Sequence, residues 1–98
     1  MTVKELNQIV NENEVVLVDF YAQWCGPCRM LLPLVEQVME EEKSWLKVVK
    51  VNVDENPELA NEFKVRSIPT LVLFKGGEVS KINTGFLPKD ELLKFCGK

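Results

Sequence analysis

Val15-Val16-Leu17-Val18-Asp19-Phe20-Tyr21 runs through Ala22-Gln23 into Trp24-Cys25-Gly26-Pro27-Cys28 and on into Arg29-Met30-Leu31-Leu32-Pro33-Leu34-Val35. The first seven residues are an apolar, β-branched run of strand type, and the last seven carry helical periodicity. Two cysteines with two residues between them therefore sit at a strand-to-helix junction. A bare C-x-x-C serves metal knuckles and redox sites alike, but this junction has a consequence of its own. Unpaired N–H groups in a helix's first turn, together with the helix dipole, stabilise negative charge beside them. Cys25 is thus expected to ionise more readily than a free cysteine, and the thiolate is the form that attacks a disulfide. Cys28, about one turn into the helix, is expected to be the more shielded thiol. Pro27 suits the first helical turn, where its missing N–H costs nothing, and Gly26 leaves the outer side of Cys25 uncovered.

Working outward, Thr2-x-x-Glu5 has the form of a capping box ahead of Leu6, Ile9 and Val10, which predicts a helix over about 2–12. A strand is expected at about 15–21 and a second helix at about 26–42, kinked at Pro33 by the loss of a backbone hydrogen bond. Val48-Val49 and Val51 mark a strand near 47–53, Pro57 opens a short helix through Phe63, and Leu71 to Phe74 reads as strand. Lys75-Gly76-Gly77-Glu78 is a hairpin turn into Val79 to Thr84, and Pro88 starts a last helix with Leu92, Leu93 and Cys96. Alternating β and α followed by a hairpin and a helix implies an α/β fold with a mixed sheet covered on both faces. No linker, repeat or low-complexity segment interrupts the chain, so residues 1–98 are read as a single domain.

Composition narrows the function classes. Ninety-eight residues suffice to bury roughly 60–65% of the unfolded surface around one core. A net charge of −3 offers no electrostatic footprint for nucleic acid or anionic lipid. Met1-Thr2-Val3-Lys4-Glu5 is too polar for a secretory leader, and no apolar stretch approaches membrane-spanning length, so a cytoplasmic location is expected. Three cysteines, two of them closely spaced, make no structural disulfide framework; in a reducing compartment such a pair is catalytic or metal-binding. Zinc generally takes four ligands, and a chain with three cysteines and no histidine lacks them unless carboxylates or a second copy contribute.

W-C-G-P-C after V-D-F, with Arg66-Ser67-Ile68-Pro69-Thr70-Leu71-Val72-Leu73-Phe74 downstream, resembles the thioredoxin family over nearly the whole chain. The resemblance includes Asp19 six residues before Cys25, Lys50 in Lys50-Val51-Asn52-Val53-Asp54, Pro69 and Gly85 in Thr84-Gly85-Phe86. It implies a thioredoxin fold: a central mixed sheet of four strands, or five where the family's usual first strand is present, flanked by helices on both faces. Too few residues stand before Thr2 to supply that strand. Tyr21 occupies a position where many thioredoxins carry tryptophan. Thioredoxins are themselves the usual illustration of a lowered cysteine pKa and of a reducing couple, so no magnitude for either is predicted from these residues.

The resemblance also implies an activity, a protein-disulfide reductase in which Cys25 attacks a client disulfide and Cys28 resolves the mixed disulfide. Partners are then protein disulfides and a thioredoxin reductase drawing on NADPH or reduced ferredoxin. No cofactor or metal need bind the chain, which is expected to act as a monomer. Asp19, which on sequence alone reads equally well as an acid at a frayed strand end, becomes a buried acid exchanging protons with Cys28 through water, its pKa raised by desolvation. Lys50, which could equally face solvent, is placed beside Asp19 to modulate its charge. General preferences for X-Pro bonds favour trans at Ile68-Pro69, whereas the resemblance implies cis, with the Ile68 backbone free to pair with an extended substrate. Gly85 is read as permitting close backbone approach in the same groove, and Trp24 as an apolar platform beside the nucleophile rather than core. Trp45 is assigned to packing, and Cys96, sharing a face with Leu92 and Leu93, to a buried inert thiol. The direction of electron flow is read from Gly26-Pro27: oxidising relatives usually place histidine there, and this chain has none. A disulfide oxidant or isomerase, and a binding module whose cysteines hold metal or stand idle, are the alternatives.

Overall fold

In the computed structural model, which describes residues 1–98, four helices and four strands follow in the order α1 (Val3–Glu12), β1 (Val15–Tyr21), α2 (Gly26–Glu41), β2 (Lys47–Asn52), α3 (Pro57–Glu62), β3 (Thr70–Lys75), β4 (Glu78–Thr84) and α4 (Lys89–Cys96). The strands form one sheet in the order β2-β1-β3-β4. β2 runs parallel to β1, while β3 is antiparallel to both β1 and β4. The sheet is therefore mixed and four-stranded, as expected, and every element falls within a residue or two of its predicted bounds. Pro88 is the one shift in role: it is the N-cap of α4, and the helix proper begins at Lys89.

Local chemistry explains the element ends. Both capping-box bonds of α1 form: the Glu5 N–H donates to Thr2 Oγ1 at 3.1 Å, and the Thr2 N–H donates to Glu5 Oε1 at 2.9 Å. Those bonds hold the Glu5 carboxyl below its usual range. Thr2→Ala removes one of them and is expected to cost about 1 kcal/mol of stability, measurable as a lower urea midpoint with an unchanged slope. At the hairpin, Gly76 and Gly77 take φ of +60° and +84°, the left-handed pair that a tight turn between twisted strands requires.

Period-2 alternation divides β1 between two cores. Val16, Val18 and Phe20 face α1 and α3, packing with Leu6, Val10 and Leu59. Leu17 faces α2 and α4, among Leu31, Val35, Val38, Leu92 and Cys96. β1 is central and covered on both sides, which explains why its sequence reads as a nearly continuous apolar run rather than an alternating one. The exception in that run is Asp19. By alternation it lies on the α2 face between Leu17 and Tyr21, and it is wholly buried.

Candidate functional site

β1 ends at Tyr21, and a tight turn closed by the Cys25 N–H to the Ala22 carbonyl (3.3 Å) delivers the chain to α2. Cys25 is the N-cap of that helix, with extended backbone angles, and Pro27 lies in the first turn. The Cys25 sulfur accepts the Cys28 N–H at 3.2 Å, so one of the helix's unpaired donors is aimed at it. The two cysteines are joined as a disulfide, their Cα atoms 5.2 Å apart. Cys28 is 1% exposed and Cys25 6%, which agrees with the expected shielding of the second thiol. A Cβ built on Gly26 meets nothing within 4 Å, so the outer face over Cys25 is open.

The loop before β3 supplies the opposite wall. The Ile68-Pro69 bond is cis, and the Ile68 carbonyl oxygen stands 3.8 Å from the Cys25 sulfur. Thr70 Oγ1 donates to the Ser67 carbonyl at 2.6 Å and holds this corner. Gly85 lies alongside: its N–H donates to the Pro69 carbonyl at 2.8 Å. A Cβ built on Gly85 would meet no atom of the chain within 4 Å, so the space beside it is open. Glycine also suits this position by its φ of +105°, a conformation L side chains rarely adopt.

Trp24 is 68% exposed and so is no part of the core. Its indole N–H donates to Asp54 Oδ2 at 2.8 Å. Asp54 is placed in turn by buried Asn52, whose side-chain oxygen accepts the N–H groups of Asp54 (2.9 Å) and Glu55 (3.2 Å). A shallow cavity of about 360 Å³ runs from Trp24 past Val53 and Ala60 to Ile68. On the other flank, Arg29 Nη1 donates to the Gln23 carbonyl at 2.9 Å and braces the loop that carries Trp24. Asp54, Asn52 and Arg29 were not legible as site residues, since nothing in their local patterning marks them; the Trp24–Asp54 bond spans 30 positions.

Within β1, both carboxyl oxygens of Asp19 are buried without a hydrogen-bond partner. Desolvation pushes the Asp19 pKa up from its ordinary 3.8 to about 7, and the Lys50 charge opposes that rise. Lys50 stands directly across the parallel ladder from Asp19. Its ammonium, however, pairs with Glu36 Oε2 of α2 at 3.0 Å. Direct contacts thus join Cys25 to Cys28 and to Ile68, and Pro69 to Gly85; Gly26 and Pro27 follow Cys25 in the first turn of α2, Trp24 and Ile68 line one shallow cavity, and Asp19 and Lys50 pair across the β1–β2 ladder. Cys96 is apart from the site, 1% exposed within the α2–α4 layer, and burial pushes its thiol up to about 11, the profile of an inert packing residue. Trp45 Nε1 donates to Glu42 at 2.8 Å at the far end of α2, away from the disulfide. No group of three or more His, Cys, Asp or Glu side chains is arranged to hold a metal ion.

A two-cysteine ring at a helix N-terminus, facing a cis-proline corner in a four-stranded mixed sheet, defines a thiol-disulfide oxidoreductase. The family model described as Thioredoxin matches residues 1–98. The chain is 50% identical to a thioredoxin of Pyropia yezoensis, over 93% of this chain and 85% of that one. It is likewise 50% identical to a thioredoxin of Listeria monocytogenes, over 98% and 97%. Among solved structures, a mutant thioredoxin from Halobacterium salinarum superposes with a TM-score of 0.90 at 44% identity, covering 98% of this chain and 83% of that one. The chain belongs to the thioredoxin family, and with its C-x-x-C pair intact it is a protein-disulfide reductase. Protein disulfides are its substrates, and a reductase returns it to the dithiol. No helix is long and apolar enough to cross a membrane.

Proposed function

We propose that Cys25 is the attacking thiol and Cys28 the resolving one, with clients held along the opening between Trp24, Ile68-Pro69 and Gly85. The observation that carries this reading is the N-cap geometry: the Cys25 sulfur, and not that of Cys28, receives the helix N–H and lies beside the Ile68 carbonyl at the exposed edge. A thiolate at Cys25 is stabilised there by the Cys28 N–H and the helix dipole. An extended client segment pairs with the Ile68 backbone while its disulfide sulfur meets Cys25. The vacant space over Gly26 and Gly85 accommodates the client's main chain.

In the forward step the Cys25 thiolate attacks one client sulfur, the client S–S bond breaks and the second client sulfur leaves as a thiolate that takes up a proton. Cys28 then loses its proton and attacks Cys25, forming the disulfide seen in the structure and releasing the reduced client. Asp19 accepts the Cys28 proton and Lys50 moderates the carboxylate's charge. Two electrons pass to the client, and a reductase fed by NADPH or ferredoxin restores them. The chain acts as a monomeric, single-domain cytoplasmic electron carrier in which no bound cofactor takes part.

The deciding experiment is the equilibrium potential of the Cys25–Cys28 pair, titrated against dithiol buffers with Trp24 fluorescence as readout. A value clearly below the cytosolic glutathione poise is expected. A value above it would transfer the protein to the oxidants and isomerases.

A further inference from the structure

Lys50 is the cation nearest Asp19 in the sheet register, yet its ammonium is held elsewhere. Asp19 and Lys50 face each other across β1 and β2, at a step of the ladder where neighbouring side chains on one face come within a few ångströms. Lys50 nonetheless makes its ion pair with Glu36, at 3.0 Å, and leaves both Asp19 oxygens without a partner. Glu36 stands on α2 more than two turns after Cys28, on the helix that roofs Asp19, and its side chain is about half exposed.

We propose that Glu36 is a positioning residue: by holding the Lys50 ammonium at the outer surface of α2, it keeps that charge from Asp19 and so sets the pH at which Asp19 accepts the Cys28 proton. This rests on the reading of Asp19 as the proton acceptor in resolution. Two effects act in one direction. The Glu36 carboxylate neutralises Lys50, and it draws the flexible lysine stem outward. Both make the ionised form of Asp19 harder to reach, which delays proton acceptance toward neutral pH, where a general base is most useful.

Few other groups compete for this role. The layer between the sheet and α2 receives Lys50 from β2, Tyr21 from β1 itself, the Cys28 sulfur and Glu36 from α2, and the buried Cys96 thiol from α4. Leu71 and Leu73 of β3 are apolar, while Lys75 of β3, Lys81 of β4 and Glu42 after α2 act on Cys96 and not on Asp19. Lys50 is the one charged group whose field registers on Asp19. Whatever controls Lys50 therefore controls Asp19, and the atom bonded to Lys50 belongs to Glu36.

The test reads the Asp19 side-chain carboxyl carbon by NMR through a pH titration of the oxidised protein at low ionic strength, where a partly exposed ion pair is least screened. Glu36→Gln is expected to lower the titration midpoint, shifting the ionisation equilibrium about threefold, the range of a partly exposed pair. Glu36→Asp should restore most of the midpoint, and in a Lys50→Met background Glu36→Gln should have less than half its effect. The pH profile of mixed-disulfide resolution should move with the carbon shift. A midpoint that stays put or rises in Glu36→Gln overturns the proposal, as does a full shift that persists without Lys50. A resolution rate that ignores the Asp19 midpoint in every variant sinks instead the reading of Asp19 as acceptor, while the carbon shift still decides for or against Glu36.

Discussion

Cys28→Ser is expected to accumulate as a covalent complex with client proteins, and Cys25→Ser to form none. The two sulfurs are three residues apart, but their surroundings differ. Cys25 is the cap of α2 and receives an N–H, and the space over Gly26 lies open beside it. Cys28 packs beside Ala22 and Tyr21 with 1% of its surface exposed, against 6% for Cys25. A client disulfide is therefore expected to meet the first sulfur. With Cys28 replaced, attack still occurs, but nothing within reach displaces the client. With Cys25 replaced, the remaining thiol is screened and lacks the cap. Steady-state reduction should fall by on the order of 10³-fold or more in both variants, since the two thiols act as a unit. Only the Cys28 variant should show a band on a non-reducing gel that disappears with dithiothreitol. Equal trapping by both variants, or trapping by Cys25→Ser alone, would reverse the assignment.

The same asymmetry shows what kind of information the sequence carries. The Cys25 cap, the Pro27 first turn, the capping box at Thr2 and Glu5 and the Gly76-Gly77 turn are all consequences of residues within four positions of one another, and each is where local chemistry puts it. The burial of Asp19 was only half legible: local patterning allowed a frayed strand end equally well, and it is the cover on both faces of β1 that leaves the carboxylate no exit. The contacts that were not legible join distant elements. Lys50 stands where the register with Asp19 puts it, but its bond to Glu36 depends on how α2 lies across the sheet. The Trp24–Asp54 bond depends on the turn that Asn52 builds after β2. The cis bond at Ile68-Pro69 ran against the general preference of X-Pro bonds and was available only through family resemblance. For Gly85 the sequence offered no sign of the positive φ that the turn after β4 imposes on it.

Asp19→Asn is expected to separate two properties that the buried carboxyl joins, the stability of the oxidised fold and the rate of resolution. Burial raises the folded-state pKa to about 7 from 3.8, so between those values the native state binds a proton that the unfolded state has released. Stability must then fall as pH rises through that window, and the loss is complete above about pH 7. A shift of that size corresponds to about 4 kcal/mol, which the wild type forgoes at pH 8 by keeping an uncompensated charge inside. Asn carries no charge to desolvate. Its stability should exceed that of the wild type by about 2–4 kcal/mol at pH 8 and approach it near pH 4, where the native Asp19 is protonated. Denaturant melts of the two oxidised proteins across pH measure this directly, and parallel curves would show that the carboxyl is not desolvated as its burial implies. Resolution should respond in the opposite sense. Without a carboxylate to take its proton, Cys28 depends on solvent, and the step should slow by about tenfold to a hundredfold near pH 7. The deficit should shrink as pH approaches the ordinary thiol range, where Cys28 ionises unaided. A variant that is more stable at neutral pH and slower only there would tie both effects to one proton. That result would also give the physical reason for a charge in the core: the fold gives up stability so that a base stands behind the resolving thiol.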